Sequence, residues 1–457
     1  MKVLLTTHVF FPDHSSGTEI FALNTARELK RHGHEVEICT GYLPRLGQPD
    51  PRTPEGFDRY VYEGLTVNRF FHHADPLGGQ ASAVEAEYNN LIFANWFRRY
   101  LMHCQPNVVH FFHLWLLSAA AIDVCQELGI PMVMTPTDFW LICPNNQLRL
   151  PDNSLCKGPD GDGVNCLKHA VSNNQSKRVA AVFNRLPHPV VSTMIWGINH
   201  GAFSGSWFSP MVRALYQRAG FLRTRMNMLD RVIVPTRLMQ EMLVLNGLQP
   251  DKVVFSRFGI RTIASETHKP DTAGKLRIAF IGGLSEHKGV HLLISAVRLL
   301  PRTALLELKI FARTDLFPEY FKKLMRLADA DQRICFCGTF PNEQIGAVFS
   351  EMDVLVVPSI WYENTPLVIY SAQAAGCPVI ASNLGGMAEV VEHEKNGLLF
   401  TAGDVVGLAD SIERLTDDRE LLHKLAANAV KPKSISDYVS ELLNIYEDVL
   451  VRTRGVK

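Results

Sequence analysis

The chain has 457 residues, of which 47% are hydrophobic and 20% are charged, and Lys plus Arg balance Asp plus Glu at 46 each. This length exceeds what one hydrophobic core usually organises, so we expect two or three domains. The even charge balance gives no global bias towards nucleic acid or anionic lipid, and we expect no nucleic-acid partner.

The amino-terminal residues, MKVLLTTHVFFPDH, predict a buried strand followed by a loop. They lack the long apolar segment and the small-residue cleavage site of a signal peptide. Nine cysteines are scattered through the chain, an odd number without a regular framework. Together these features predict a cytoplasmic protein with reduced thiols.

The first half opens with a strand–loop–helix–strand unit. An apolar run, KVLLTTHVF, precedes a glycine-containing turn, DHSSGTE, and a segment with helical spacing, IFALNTARELKRHG. The alternating segment HEVEICTG then predicts a second strand. Such a unit is typical of the start of a doubly wound parallel sheet.

The same pattern begins again near residue 276. A strand ending in glycines, LRIAFIGG, is followed by the loop LSEHKG, the helix VHLLISAVRLL and the strand ALLELKIFA. We therefore expect an α/β protein with two Rossmann-like domains, residues 1–260 and 276–430, joined by a polar linker at 261–275. Residues 431–457 predict a terminal helix that is free to pack back on the first domain.

Ligands of open α/β sheets bind beyond the carboxyl ends of the strands, so two such domains predict a cleft between facing sheets. An insertion of about residues 140–225 interrupts the first domain. Within it, Leu186–Val212 carries no Asp, Glu, Lys or Arg, but its prolines, glycines and serines make a poor spanning helix.

Basic residues flank this uncharged stretch on both sides: Lys177, Arg178, Arg185, Arg213, Arg218, Arg223 and Arg225. Two interpretations stay open. The segment packs as an internal insertion on its own domain, or it rests on the inner face of the cytoplasmic membrane as a peripheral contact.

The insertion also contains a candidate structural zinc site. Cys143, Cys156, Cys166 and His169 have the spacing C-x12-C-x9-C-x2-H, which supplies four nitrogen and sulfur ligands. Only the closing C-x2-H has tight ligand spacing, so reduced thiols are the alternative.

The second half resembles the donor domain of the retaining glycosyltransferases of family 4, whose two Rossmann-like domains form the GT-B arrangement. The resemblance rests on IGGLSEHKGVHLLISA, FCGTFPNEQI, MDVLVVPSIWYENTPLVIYSAQAAGCPVIASNLGGMAEVV and NGLLF, with SGTEIFALNTARELKRHGHEV in the first half. It implies retaining transfer of a sugar from a nucleotide diphosphate sugar to a glycan or lipid-linked acceptor, in the synthesis of polysaccharide or another cell-surface glycan. No cofactor and no catalytic metal are expected beyond this donor.

Two positions suit the diphosphate of such a donor. Without a metal, its charge must be met by cations, backbone N–H groups and a helix N-terminus. Lys288 follows the first strand of the second series and opens onto a helix, which suits a diphosphate oxygen. Gly17 lies in the corresponding loop of the first series, where a missing side chain lets the backbone approach phosphates.

The segment ENTPLVIYS supplies the candidate sugar contacts. The resemblance implies that Glu363 holds sugar hydroxyls. Pro366 suits the first turn of a helix, and exposed N–H groups of Asn364, Thr365 and Leu367 would then face the sugar or phosphate.

Two positions of the donor site depart from the family pattern. Ser371 replaces the acid that accepts from the ribose, which implies weaker or differently arranged ribose binding because charge-assisted hydrogen bonds are about twice as strong as neutral ones. Gly283 stands where many relatives have an arginine beside the lysine, and Arg257 is a candidate to compensate.

A third departure concerns the acceptor side. Thr137 precedes Asp138 at a position where relatives often carry a histidine assigned to the reaction centre. Asp138, His113 and His110 remain candidate polar contacts there, with a packed structural role as the alternative for each histidine.

These departures leave two other functions open. Gly283, Ser371 and Thr137 favour a non-catalytic partner in a polysaccharide assembly complex, whereas the retained Lys288 and Glu363 argue against it. A nucleotide-sugar epimerase with the same two-domain frame is the other alternative.

Overall fold

The computed structural model describes residues 1–43, 56–71, 80–152, 154–203, 205–261 and 274–455. The chain forms two compact units. Unit 1 comprises Met1–Pro235, Met239–Arg257 and Ser436–Lys457, and unit 2 comprises Thr236–Leu238 and Phe258–Ile435. Most of the expected linker, residues 262–273, lies outside the described residues.

The described part of unit 1 contains a sheet of eight strands in the order β3-β4-β2-β1-β5-β6-β7-β8. All neighbours are parallel except the β3–β4 hairpin. The strands are β1 (Lys2–Thr7), β2 (Glu35–Thr40), β3 (Phe57–Tyr62), β4 (Leu65–Phe70), β5 (Val108–Phe111), β6 (Met132–Met134), β7 (Arg231–Val234) and β8 (Val253–Phe255). The order reverses between β1 and β5, and in doubly wound sheets such a switch point is where ligands bind.

Helices cover this sheet and build the insertion. They are α1 (Gly17–Arg31), α2 (Ala83–Tyr88), α3 (Leu91–Cys104), α4 (Ala120–Leu128), α5 (Val164–Asn174), α6 (Lys177–Asn184), α7 (His188–Asn199), α8 (Ser209–Met226) and α9 (Arg237–Leu245). The uncharged stretch becomes α7 and the start of α8, packed with α5 around a small core that includes Val191, Ile195 and Val212. No helix among the described residues combines the length and hydropathy needed to cross a membrane.

Unit 2 contains, in its described part, a fully parallel sheet of six strands in the order β11-β10-β9-β12-β13-β14. The strands are β9 (Leu276–Ile281), β10 (Leu306–Phe311), β11 (Ile334–Gly338), β12 (Val354–Val357), β13 (Val379–Ser382) and β14 (Gly397–Phe400). The helices are α10 (Val290–Leu299), α11 (Pro318–Ala328), α12 (Ile345–Ser350), α13 (Leu367–Ala374), α14 (Gly385–Ala388), α15 (Val405–Asp417) and α16 (Arg419–Ala427). The switch point of this sheet lies between β9 and β12.

The last helix, α17 (Ile435–Gly455), packs on the sheet of unit 1. The hydroxyl of its Tyr446 lies 2.6 Å from His110 Nδ1 of β5, and the Tyr438 hydroxyl lies 3.2 Å from Thr135 Oγ1. Each unit is thus a parallel sheet covered by helices, with one antiparallel hairpin at the edge of unit 1, and the predicted α/β class with two Rossmann-like domains is confirmed.

Candidate functional site

Lys288 lies at the switch point of unit 2, in the loop between β9 and α10. Its loop ends in the short 3-10 turn Glu286–Lys288, and Gly289 follows in the left-handed region with φ +73°. A Cβ at Gly289 would lie 1.9 Å from the carbonyl oxygen of Pro358, just after β12. Only glycine therefore lets the Lys288 loop approach the end of β12 this closely.

Glu363 lies in the loop after β12 and is bonded directly to Lys288. The Lys288 Nζ to Glu363 Oε1 distance is 2.6 Å, and the same oxygen accepts from Ser359 Oγ at 2.8 Å and from Trp361 Nε1 at 2.8 Å. Glu363 Oε2 takes part in none of these three bonds. The Glu363 side chain is 7% exposed and that of Lys288 is 27% exposed. The lysine therefore reaches solvent, whereas the carboxylate is buried.

Three further side chains complete this cluster. The Lys288 Nζ lies 5.1 Å from the ring centroid of Trp361, and the His287 ring lies 4.8 Å from the same indole. His287 and Trp361, with Ser359, were not singled out from the sequence. They stand within the motif segments that carry the resemblance, but only the fold shows that their side chains meet.

The loop that leads into α13 is held by α14. Gly386 N donates to Glu363 O at 2.9 Å, and Thr365 Oγ1 donates to Gly386 O at 3.2 Å. Asn364 and Thr365 are buried, at 8% and 3% exposure, in contrast to the exposed N–H groups expected from the sequence. Their neighbours Pro366 and Leu367 are half-buried.

The limits of α13 differ slightly from the expectation. Pro366 is the N-cap residue and Leu367 is the first residue of the helix. Proline has no N–H to leave unpaired at a helix start, so the local chemistry is the one expected.

The structure shows the surroundings of the positions that depart from the family pattern and of the arginine expected to compensate. Ser371 Oγ donates to Leu367 O of its own helix at 3.1 Å. Gly283 is exposed, and a Cβ there would have no atom within 4 Å. Arg257 is exposed at the end of the second segment of unit 1.

A second cluster occupies the switch point of unit 1, where His113 follows β5 and Asp138 follows β6. His113 Nε2 lies 2.8 Å from Asp138 Oδ2, and Trp115 N donates to His113 Nδ1 at 3.0 Å. Because Nδ1 accepts a hydrogen bond, Nε2 carries the hydrogen that is donated to Asp138. The structure thus brings these two sequence-predicted residues together.

Two residues of this cluster, His8 and Glu19, were not predicted from the sequence. The ring of His8 lies 4.4 Å from that of His113, and His8 Nε2 lies 3.6 Å from Glu19 Oε1. Burial lowers the pKa of His8 well below its usual value and raises the pKa of Glu19, because burial disfavours the charged form of each group. Glu19 Oε2 accepts from Ser16 N at 2.7 Å, and the Ser16–Glu19 capping-box spacing was the available signal.

The remaining predicted site residues of unit 1 have different neighbours. Thr137 Oγ1 accepts from Thr18 Oγ1 at 2.8 Å, and Gly17 begins α1 with open space around it. His110 is fully buried between Tyr446 and Thr135, and burial lowers its pKa to about 3. His110 therefore has the packed structural role that was its alternative.

The zinc hypothesis is not supported by the geometry. Cys143, Cys156, Cys166 and His169 do line one small cavity of about 30 Å³. Within the described residues, however, no three His, Cys, Asp or Glu side chains are arranged to hold a metal ion. Burial raises the pKa of the Cys156 thiol and raises that of Cys166 to about 12, which favours protonated thiols.

Comparisons with known proteins identify the family of the chain. Residues 265–431 match the family described as glycosyl transferases group 1, and residues 16–158 match the glycosyl transferase 4-like domain. D-inositol 3-phosphate glycosyltransferase of Corynebacterium efficiens is 34% identical over 34% of this chain and 38% of its own length. The amylovoran biosynthesis glycosyltransferase AmsK of Erwinia amylovora is 28% identical over 41% of this chain and 48% of its own. The aligned part spans less than half the length of either relative.

Solved structures share the fold along nearly the whole chain. Sucrose-phosphate synthase of Thermosynechococcus elongatus has a TM-score of 0.62 at 17% identity, covering 100% of this chain and 98% of its own. Anabaena HepE, in complex with UDP and glucose, has a TM-score of 0.61 at 16% identity, covering 97% and 99%. At these identities the likeness is one of fold alone. The two family matches show that the chain belongs to the glycosyltransferases of family 4.

Proposed function

We propose that this protein transfers a sugar from a nucleotide diphosphate sugar to a glycan or lipid-linked acceptor and retains the anomeric configuration. The observation that carries the proposal is the Lys288–Glu363 pair at the switch point of unit 2, 2.6 Å apart. That is where a doubly wound sheet binds its ligand. The UDP and glucose in the complex of the similarly folded HepE support a nucleotide-sugar donor.

The two side chains contact different parts of the donor: Lys288 binds the diphosphate and Glu363 binds the sugar. An ammonium group has three N–H donors. One of those of Lys288 is used by Glu363, which leaves two for diphosphate oxygens. Glu363 Oε1 is saturated by Lys288, Ser359 and Trp361, whereas Oε2 is free of those bonds and can accept from sugar hydroxyls.

Transfer then needs little covalent chemistry from the protein. The bond between the anomeric carbon and the diphosphate oxygen breaks, and the acceptor oxygen bonds to that carbon on the same face. The acceptor proton passes to the departing phosphate. Lys288 stabilises the negative charge that develops on the leaving group, and the site holds both partners in position. This scheme tolerates the substitutions at Ser371 and Gly283.

On the acceptor side, we place the partner hydroxyl near the His113–Asp138 pair. The Asp138 side chain is 23% exposed and His113 orients one of its oxygens. A carboxylate so held can accept a hydrogen bond from an acceptor hydroxyl. Arg257 and Gly17 remain candidates for contacts with the phosphates, and Thr137 remains a candidate on the acceptor side.

The insertion supports a peripheral contact with the inner face of the cytoplasmic membrane. Residues 163–229 contain no Asp or Glu, yet they contain eight Lys and Arg residues. Three large aromatic side chains of this segment project into solvent, with exposures of 62% for Trp196, 66% for Phe203 and 78% for Trp207. Exposed aromatics within a basic surface suit an anionic lipid interface.

One observation favours the non-catalytic alternative. The hydroxyl of Ser371 donates its hydrogen to Leu367 O of its own helix, so in this arrangement it can only accept from a ribose hydroxyl, and it does so without the charge of a carboxylate. A non-catalytic partner of a polysaccharide assembly complex would need no ribose contact.

A panel of UDP-, GDP- and ADP-sugars separates these functions. We expect the wild-type protein to bind and slowly hydrolyse at least one donor, and Lys288→Ala to lower kcat/KM about 10²–10³-fold, as loss of one charge-stabilising group does. The control is Lys323→Ala, because this lysine pairs with Glu286 at 3.1 Å on an exposed surface. Folded protein that binds and hydrolyses no donor would remove the proposal's main support. An epimerised donor without acceptor would indicate an epimerase, and NMR of the product linkage tests retention.

A further inference from the structure

A second cavity, of about 590 Å³, opens in unit 1 and takes no part in the chemistry above. Its volume lies within the range of small-molecule sites. One wall is the loop 144–151 that follows Cys143, and another is a face of α5 with His169, Ser172 and Asn173. Glu87 and Trp115 complete the lining. The cavity is thus formed mainly by the insertion rather than by the strand ends.

The lining offers neutral hydrogen-bonding groups beside one aromatic ring. Asn145, Asn146 and Gln147 present three consecutive amides, each able to donate and accept. The side chains of Asn145 and Gln147 have no hydrogen-bond partner among the described residues. An indole face next to such amides suits the apolar face and the hydroxyl rim of a pyranose ring.

The loop that carries the amides is held in one conformation. Asn146 and Leu148 have left-handed backbones, with φ values of 64° and 49°. Leu148 is fully buried, and its carbonyl accepts from Cys156 N at 2.7 Å. Non-glycine residues keep such conformations only where the surroundings fix them, and this is common at ligand sites.

The cavity disfavours a phosphate-bearing ligand. The α5 residues that line it are His169, Ser172 and Asn173, and they lie in the second half of a helix that ends at Asn174. The carboxyl end of a helix carries partial negative charge, which repels anions. Glu87 and Arg149, which carry opposite charges, stand in the same lining, so it offers no excess of positive charge to an anion. Neutral polar groups are therefore the better match.

Trp115 connects this cavity to the acceptor-side cluster. Its backbone N–H donates to His113 Nδ1 at 3.0 Å, and its ring lies 5.7 Å from the ring of His8. A ligand that packs on the indole thus lies near the His113–Asp138 pair of the same unit.

We propose that this cavity binds pyranose rings of a neutral oligosaccharide acceptor. The proposal rests on the sugar-transfer function proposed above and deepens it, because it names carbohydrate rather than a lipid chain as the recognised part of the acceptor. The residues that select it are Trp115 and the amides of the 144–151 loop.

Binding of neutral oligosaccharides without any nucleotide tests this inference. The probes are maltopentaose, cellopentaose, chitopentaose and mannopentaose, titrated against the full-length protein by ligand-observed NMR. We expect at least one to bind, and Trp115→Ala and Gln147→Ala each to weaken that binding about tenfold, the effect of losing about 1.4 kcal/mol. Met102→Ala, which removes a side chain of α3 that is 61% exposed elsewhere in unit 1, should bind like the wild type.

The outcomes of this binding experiment can be distinguished from those of the nucleotide-sugar panel described above. If none of the four probes binds the wild-type protein, or if either cavity variant binds as well as the wild type, the assignment is wrong. Thermal unfolding identifies a variant that fails to fold; Gln147→Ala alone then decides, since its side chain has no partner to lose among the described residues. Oligosaccharide binding without donor hydrolysis would reject the transfer function but keep the cavity.

Discussion

In the proposed donor site, the Lys288–Glu363 contact leaves the carboxylate well supported whether or not the lysine stays beside it. Glu363 is kept in place by Ser359 and Trp361 even if Lys288 turns towards a phosphate, because all three donors converge on Oε1. The carboxylate therefore does not become a buried charge without hydrogen bonds when the lysine moves. The lysine, more exposed than its partner, is the movable member of the pair.

His110 makes the stability of unit 1 dependent on pH. Its pKa is about 3 in the folded protein, against about 6.5 for a histidine in an unfolded chain. Between these values the unfolded state binds the extra proton, so stability is lost as the pH falls through this window. At pH 5 the loss from this group relative to pH 7.5 is about 2 kcal/mol.

We expect His110→Gln to remove this part of the pH dependence, because glutamine can still donate and accept but does not titrate. Urea unfolding at pH 5 and pH 7.5 measures it. His103→Gln, an exposed histidine of α3, is the control and should behave like the wild type. An unchanged pH dependence in the His110 variant would contradict the assignment.

At the scale of elements, alanine substitutions at two glycines with similar backbone angles distinguish the cost of a left-handed backbone from the cost of a steric clash. Gly289 and Gly376 have φ values of +73° and +75°, but only Gly289 has an atom, Pro358 O at 1.9 Å, where a Cβ would stand. Gly376→Ala should cost about 1 kcal/mol for the left-handed backbone alone. Gly289→Ala should cost a further 1–3 kcal/mol or so for overpacking and should also displace Lys288.

Urea unfolding and donor hydrolysis of both variants check this expectation. Equal destabilisation by the two substitutions would show that the loop between β9 and α10 does not need its close approach to β12. Loss of donor hydrolysis only in the Gly289 variant would tie that approach to the function of Lys288.

Much of the fold followed from local patterns, whereas contacts between distant segments did not. Apolar runs and helical spacing placed β9, α10 and the loop with Lys288 correctly, because these depend on neighbours in sequence. The meeting of His8 with Glu19 and His113 depends on strand order, which no local pattern encodes. The spacing of Cys143, Cys156 and Cys166 correctly indicated proximity, since all three line one cavity, but it could not supply metal-binding geometry.

In the whole molecule, both units place their polar clusters at the point where the strand order reverses. Lys288 and Glu363 follow β9 and β12, and His8 and His113 follow β1 and β5. At these points the neighbouring connections leave in opposite directions and open a crevice. With Asp138 after β6, these clusters therefore draw on five loops that follow strands, while the insertion of unit 1 lies apart from those strand ends.

That insertion leads to a prediction about its exposed aromatic side chains. The change is the triple substitution Trp196→Ala, Phe203→Ala and Trp207→Ala, which removes the exposed aromatics of the acid-free segment 163–229. We expect the wild-type protein to bind vesicles with 30 mol% phosphatidylglycerol and the triple variant to bind at least about tenfold more weakly, because burial of such rings drives interfacial binding.

Vesicle sedimentation measures this binding, and added salt should weaken it because basic residues contribute. The matched control is a triple substitution in unit 2, Leu299→Ala, Leu305→Ala and Phe317→Ala, whose side chains are 59%, 59% and 50% exposed. If the control loses as much binding as the aromatic variant, general hydrophobicity rather than this surface holds the lipid. If the wild-type protein does not bind anionic vesicles, the membrane contact is wrong. The insertion then has only a packing role, since α5, α7 and α8 already share a core.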